Sequence, residues 1–244
     1  MILIKSQQEI DAMVEGGKIA RKAVDEAVRQ AKVGMTTLEL NTIAEKIILE
    51  SGGVPCFKGY EGFPFATCTN INEGIVHGFP NKYKLKKGDV VSVDLGVLYK
   101  GMNTDVSESF ELETHHQDKF LETGKQALAN AIAKCMIGNK IGDISNATQT
   151  TIQRAGFSVS RNLAGHGVGR LIHEDPYVEC FGKPGKGYEI KEGMTFAVEV
   201  IYQKGRPELK LAKDGWTLST KDGSLSGLFE KSVAVTRQGV LVLT

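Results

Sequence analysis

The sequence predicts an α+β fold assembled from two related halves, roughly residues 5–110 and 112–241 of one 244-residue domain. Three observations predict it: capped amphipathic helical segments, alternating strand segments that end in an acid, and the return of these pieces in the same order along the chain.

The first helix opens at Ser6-x-x-Glu9, a capping box in which each side chain takes an orphaned backbone N–H of the other residue. Ile10, Met13, Val14, Ala20, Val24, Ala27 and Val28 follow at helical spacing. A second opens at Thr36-x-x-Glu39, places Leu40, Ile43, Ala44, Ile47 and Ile48 on one face, and stops at Gly52-Gly53. Thr114-x-x-Gln117 is expected to begin a third that runs toward Cys135, and a fourth follows Asp143 and ends near Gly156.

Strand segments carry the repeat. Leu85-Lys86-Lys87-Gly88-Asp89-Val90-Val91-Ser92-Val93-Asp94 aligns without a gap on Ile190-Lys191-Glu192-Gly193-Met194-Thr195-Phe196-Ala197-Val198-Glu199, an offset of 105. Gly34 and Gly52 return as Gly138 and Gly156 at an offset of 104. Asn70-x6-His77-x2-Pro80 returns as His166-x6-His173-x2-Pro176 at an offset of 96. Two such halves pack most simply about a pseudo-twofold axis, which sets Asp94 and Glu199 symmetrically and brings His77 and His173 to their flanks.

Composition narrows the classes of function. With 30 basic and 29 acidic residues the net charge is +1, and no basic block points to nucleic acid or a membrane surface. No apolar run has the length of a signal peptide or a membrane span. Cys56, Cys68, Cys135 and Cys180 contain no Cys-x-x-Cys pair and are expected to be reduced thiols, as in the cytoplasm. Gly165-x-Gly167-x-Gly169 has the wrong spacing for a phosphate loop, and no Gly-x-Ser-x-Gly supports a serine hydrolase. His115-His116 stands between charged residues and reads as solvated surface.

In the segment Val90 to Val97, Ser92, Asp94 and Gly96 share one face and Val91, Val93, Leu95 and Val97 the other. A two-residue turn at Lys100-Gly101 sets position 94 opposite 107 and Asp105 diagonal to Asp94, about 7 Å away. Alone, Asp94 also fits the wet side of a half-buried sheet. Its echo Glu199 stands in Thr195 to Ile201, which is apolar nearly throughout, and a charge there needs a partner or a metal. Glu230 lies in a similar strand, where an ion pair with Lys231 is the alternative, although adjacent strand residues point to opposite faces. Asp94, Asp105, Glu199, Glu230 and His166 form a coherent set: two divalent cations neutralise four carboxylates, and oxygen-rich donors with one imidazole suit Mn, Fe, Co or Zn. Such metal pairs activate water for hydrolysis.

With these residues in view the chain resembles the type I methionine aminopeptidases, compact bacterial metallopeptidases of the pita-bread fold (family M24), over its full length. The resemblance runs from Ile4-Lys5-Ser6-x-x-Glu9-Ile10-x-x-Met13 through Cys68-Thr69-x3-Asn72-Glu73-x3-His77-Gly78, Val93-Asp94 and Thr104-Asp105. It continues in Gly165-His166-Gly167-x-Gly169-x3-His173-Glu174-x-Pro176, Gly193-Met194-Thr195-Phe196-x2-Glu199, and Asp214-Gly215-Trp216 through Ser224-Leu225-Ser226 to Glu230. It implies an antiparallel sheet covered by helices, and two divalent ions on Asp94, Asp105, His166, Glu199 and Glu230, with Asp105 and Glu230 bridging. Hydroxide generated there attacks the first peptide carbonyl, with Glu199, His77 and His173 catalytic. The two histidines also contact substrate, and the methionine pocket falls on Cys56, Tyr60, Phe63, Cys68, Ile172, Trp216 and Phe229. Sulfur and aromatic faces suit a thioether.

The implied substrate is the N-terminal methionine of a nascent polypeptide whose second residue is small. The implied protein is a cytoplasmic monomer that binds neither membrane nor specific nucleic acid, with ribosome association left open. Xaa-Pro peptidases of the same fold, and non-catalytic relatives that have lost ligands, are the rival readings. The chain departs from the family's usual Glu-Pro at Glu199-Val200, its Glu-His-Thr at Glu230-Lys231-Ser232 and its Phe at Ile172. It also departs at Gly74 and in Gly101 to Ser107. Altered pocket shape or metal affinity is the expected consequence. The glycines around His166 are expected to give clearance to a crowded metal centre.

Overall fold

A computed structural model describes residues 1–244. Helices α1 (Gln7–Gln30) and α2 (Thr37–Glu50) start at the two expected boxes. The Ser6 and Thr36 hydroxyls accept from Glu9 N–H and Glu39 N–H, and each glutamate accepts in return from the cap N–H. After β1 (Val54–Pro55), β2 (Thr67–Ile71) and β3 (Gly74–Val76) comes a long hairpin, β4 (Val90–Tyr99) and β5 (Met102–Glu111), turning at Lys100-Gly101. The second half holds α3 (Asp118–Ile132), α4 (Ile141–Arg154), β6 (Ser158–Val159), β7 (Ala164–Gly167), β8 (Glu174–Glu179) and β9 (Thr195–Gln203). It ends with β10 (Leu209–Leu211), β11 (Leu218–Thr220), β12 (Ser226–Thr236) and β13 (Gly239–Val242).

Two helix starts differ from expectation. Thr114 does not cap α3, because its hydroxyl and the Gln117 N–H are both taken by the Glu111 carboxylate, so the helix begins at Asp118. Helix α4 begins two residues before Asp143, whose carboxylate accepts from Lys140 N–H at 2.8 Å.

The main sheet is antiparallel, in the order β1-β4-β5-β12-β9-β7-β8, with β2 also on β4, β6 on β9 and β13 on β12. Its middle, β4-β5-β12-β9, takes two strands from residues 90–111 and two from residues 195–236. The glycines that follow α1 and α3 make similar contacts. Gly34 N–H donates to Leu85 C=O at 2.8 Å, and Gly138 N–H donates to Ile190 C=O at 3.2 Å.

Each half buries one strand face under its own helices. Ala20, Ala23, Val24, Leu40, Ala44 and Ile48 pack on Val91, Val93, Leu95 and Val97. Phe120, Leu128, Ile144 and Ile152 join the cluster that holds Phe196, Val198, Val200, Phe229 and Val233. Strand alternation then turns Asp94, Glu199 and Glu230 to the opposite face. The first turns of α1 reach past the hairpin and bury Ile10 and Met13 with Val168, Ile172, Ala197 and Leu243. A small sheet, β10-β11-β3, joins the Trp216 loop to the His77 loop, where Phe79 N–H donates to the Thr217 hydroxyl at 3.4 Å.

Candidate metal centre and substrate cavity

Register arranges the predicted acids in two neighbouring rows across the sheet. Asp94 pairs with Ser107, Ser107 with Glu230, and Glu230 with Glu199, so one row reads Asp94-Ser107-Glu230-Glu199. The next row contains Gly96 opposite Asp105 and, across the centre, Ser232 opposite Ala197 opposite His166. Ser107 in the first row and Gly96, Ser232 and Ala197 in the second are small, which leaves the carboxylates room on one face. The diagonal expected between Asp94 and Asp105 is therefore present.

Asp94, Asp105, His166 and Glu230 are buried, and no lysine or arginine pairs with the acids among them. Donor atoms of Asp105, His166 and Glu230 lie within 4.8 Å of one another. His166 Nε2 is 3.5 Å from a Glu199 oxygen and 3.9 Å from an Asp105 oxygen. Its Nδ1 lies 2.9 Å from Gly167 C=O, which can only accept, so Nδ1 carries the proton and Nε2 offers its lone pair toward the acids. Burial pushes His166 down to about 3 and keeps it neutral. Burial, reinforced by mutual repulsion, holds Asp94, Glu199 and Glu230 far above the usual carboxylate range, and burial raises Asp105 to about 7.

A lone pair facing carboxylates is repulsive unless a proton or a metal ion lies between them. Asp94 Oδ1 and Glu230 Oε1 are buried without any hydrogen-bond partner, as expected of oxygens built for a cation. The donor set thus fits divalent metal. An imidazole whose other nitrogen is fixed on a backbone carbonyl is the usual arrangement of a histidine ligand.

A cavity of about 670 Å³ opens over these rows, lined by Tyr60, Phe63, Cys68, His77, Asp94, Asp105, His166, His173, Glu199, Trp216 and Glu230. Phe63 and Trp216 meet edge to face at 5.2 Å, and Phe79 continues the cluster at 5.3 Å from Phe63. His77 holds a left-handed φ of 57°, which presents its ring to the cavity 6.3 Å from Trp216. His173 stands 4.4 Å from His166, edge to face, and its Nδ1 is 3.1 Å from the Tyr60 hydroxyl. Burial lowers both His77 and His173, which favours their neutral forms. The loop bearing His173 is tied from behind by the Lys5–Glu174 ion pair, whose side chains are each 1% exposed.

Three expected pocket residues lie elsewhere. Phe229 follows the alternation that turns Glu230 inward, so it faces α3, where a Cβ on Gly124 would come within 2.5 Å of its ring. Ile172, in the bend before β8, does not line the cavity and is buried with Ile10 and Met13. Cys56 lies just behind the wall: a Cβ on Gly96 would come 2.4 Å from its sulfur. The departures at Val200 and Lys231 also miss the cavity. Val200 is in the helix-covered core, and Lys231 Nζ donates to Thr244 C=O at 3.1 Å. The glycines beside His166 make room for backbone rather than for metal. A Cβ on Gly165 would meet Ala197 O, and one on Gly167 would meet Asp175 O, each at 2.4 Å.

The sequence reading missed several lining residues, among them Phe57, Val76, Leu163, Tyr177 and Ile201. Ile201 alone had a signal, since it is two residues beyond Glu199 on the same strand face.

The profile of metallopeptidase family M24 matches residues 11–237. The chain belongs to this family. Methionine aminopeptidase of Clostridium perfringens is 39% identical, covering 100% of this chain and 99% of that protein. Methionine aminopeptidase 1 of Bacillus subtilis is 37% identical, with the same coverage of both chains. Among solved structures, methionine aminopeptidase from Thermotoga maritima superposes with a TM-score of 0.97 at 37% identity, covering 100% and 99% of the two chains. These relatives place the chain with the methionine aminopeptidases of M24. Prolidase from Pyrococcus furiosus has a TM-score of 0.80 at 22% identity and shares the fold; the match spans 65% of that longer chain. The pita-bread architecture and the metallopeptidase class inferred from the sequence therefore hold. The four cysteines are free, and no helix is long and apolar enough to cross a membrane.

Proposed function

We propose that this chain, working as a single catalytic domain of two repeated halves, removes N-terminal methionine from polypeptides. The observation that carries the reading is the pair of acid rows, with unpartnered buried oxygens, beneath a cavity walled by Cys68, Phe63 and Trp216. Asp94, Asp105, His166, Glu199 and Glu230 would hold two divalent ions of Mn, Fe, Co or Zn. When bound, the ions supply Lewis acidity and an acidified water.

The chain's own groups do the rest. Glu199, 12% exposed at its side chain, accepts the proton of the attacking water. With the Tyr60 hydroxyl donating to Nδ1, His173 keeps its Nε2–H to donate to the oxygen that gains charge. His77, held neutral by burial, orients the scissile amide. The free amine binds on the Asp94 side, and the methionine side chain lies against Cys68, Phe63 and Trp216. We read the protein as a cytoplasmic monomer that meets its substrate as the chain leaves the ribosome.

The test is release of methionine from Met-Gly and Met-Ala peptides after loading with Mn, Fe, Co and Zn in turn. At least one metal should support turnover, and Asp105→Ala should reduce it by three orders of magnitude or more, about 4 kcal/mol. Full activity in Asp105→Ala, or none with any metal, rejects the proposal.

A further inference from the structure

The main sheet forks beside the proposed metal centre. β12 pairs with β5 at Glu230↔Ser107 and Lys231↔Val106, and from Val233↔Val242 onward with β13 instead. The residues left in the fork are Ser232 and Asp105, and no ladder joins them. Side chains do so instead. Asp105 N–H donates to Ser232 Oγ at 2.7 Å, and that hydroxyl donates back to Asp105 C=O at 2.9 Å. Ser232 N–H donates to Thr244 Oγ1 at 2.9 Å, and the Thr244 hydroxyl donates to the same Asp105 carbonyl at 3.3 Å. Ser232 C=O accepts from Leu243 N–H at 2.9 Å. Each hydroxyl spends its one proton once, and every backbone group of Ser232 and Asp105 that faces the fork is paired. All three residues are buried.

We propose that Ser232 and Thr244 are positioning residues for the metal centre, their hydroxyls fixing the Asp105 backbone where β5 parts from β12. The inference rests on reading Asp105 as a ligand. Its carboxylate accepts from Val106 N–H at 3.0 Å, a bond within the same stretch of backbone, so turning that backbone turns the carboxylate. Removing either hydroxyl leaves a buried N–H or C=O unpaired, and the strand must rotate to recover a partner.

Cobalt(II) titration separates this role from plain stability, with calorimetry giving affinity and the visible absorption bands reporting coordination geometry. Ser232→Ala and Thr244→Val are expected to bind cobalt about 10–100-fold more weakly, with altered bands. Ser232→Thr, which keeps the hydroxyl, is expected to restore both. Val233→Ala removes buried volume on the helix side of the next residue and should lose thermal stability with affinity and spectrum intact. Thr244→Val keeps the side-chain shape and answers the question should Ser232→Ala not fold. Wild-type affinity and spectrum in the folded Ser232→Ala and Thr244→Val proteins overturn the positioning role. Wild-type cobalt binding by Asp105→Ala overturns the ligand assignment itself.

Discussion

Glu230 turns its carboxylate into the cavity, and strand geometry therefore turns Phe229 away from it. Resemblance had placed both in one site, yet successive side chains of β12 cannot share a face. Ile172 packs with Ile10 and Met13 and does not line the cavity, whereas His173 does. Paired substitutions test the distinction. Phe229→Ala empties a fully buried position under α3 and is expected to cost about 3–5 kcal/mol of stability, read from denaturant midpoints. KM for a Met-Ala peptide should stay unchanged in the protein that remains folded. Phe63→Ala removes an aromatic face from the thioether's contacts, worth about 0.3–1.5 kcal/mol, so KM should rise by up to about tenfold. A larger KM effect from Phe229 than from Phe63 would return Phe229 to the pocket.

At the scale of elements, Asp94 and Glu199 were legible because acids ending similar strands stand out from apolar surroundings. They stand at the two ends of one cross-strand row, and the hairpin turn gave the Asp94–Asp105 diagonal. What the sequence could not show is the seam between the halves, where Ser107 meets Glu230 and Ser232 meets Asp105. That register is set by packing across more than a hundred residues. The start of α3 was misread for a related reason: Glu111, at the end of β5, reaches the groups that Thr114 was expected to cap. The glycines of β7 show how tightly that strand is held against β9 and β8. Gly165→Ala would push a Cβ to 2.4 Å from Ala197 O, backbone against backbone, which cannot yield like a flexible side chain. We expect a loss of about 1–3 kcal/mol or more in thermal melts. Metal affinity should fall with it, because β7 carries His166; undiminished stability would show that β7 is free to shift.

For the whole molecule, the sheet gathers four acids from distant stretches of chain at one point, so metal binding, proton binding and folding are coupled. Without metal, a carboxylate raised by burial holds its proton more tightly in the folded state. Its stabilising contribution is therefore full below the ordinary pKa and is lost as pH rises through the folded value, for Asp105 from 3.8 to about 7. His166 acts in the opposite sense. Lowered from 6.5 to about 3, it contributes stability above pH 6.5 that is lost as pH falls toward 3. His77 and His173, also lowered, act like His166. Below pH 6.5 the three histidines oppose the carboxylates; above it the carboxylates, joined toward alkaline pH by the thiols that burial also raises, act in one direction, and the metal-free protein should lose stability as pH rises. Divalent metal replaces those protons. The melting temperature of the metal-free protein should therefore fall between pH 6.5 and 8.5, and the increase produced by Mn or Co should grow across the same range. A metal-induced increase independent of pH would mean that the ions are not held by these raised carboxylates.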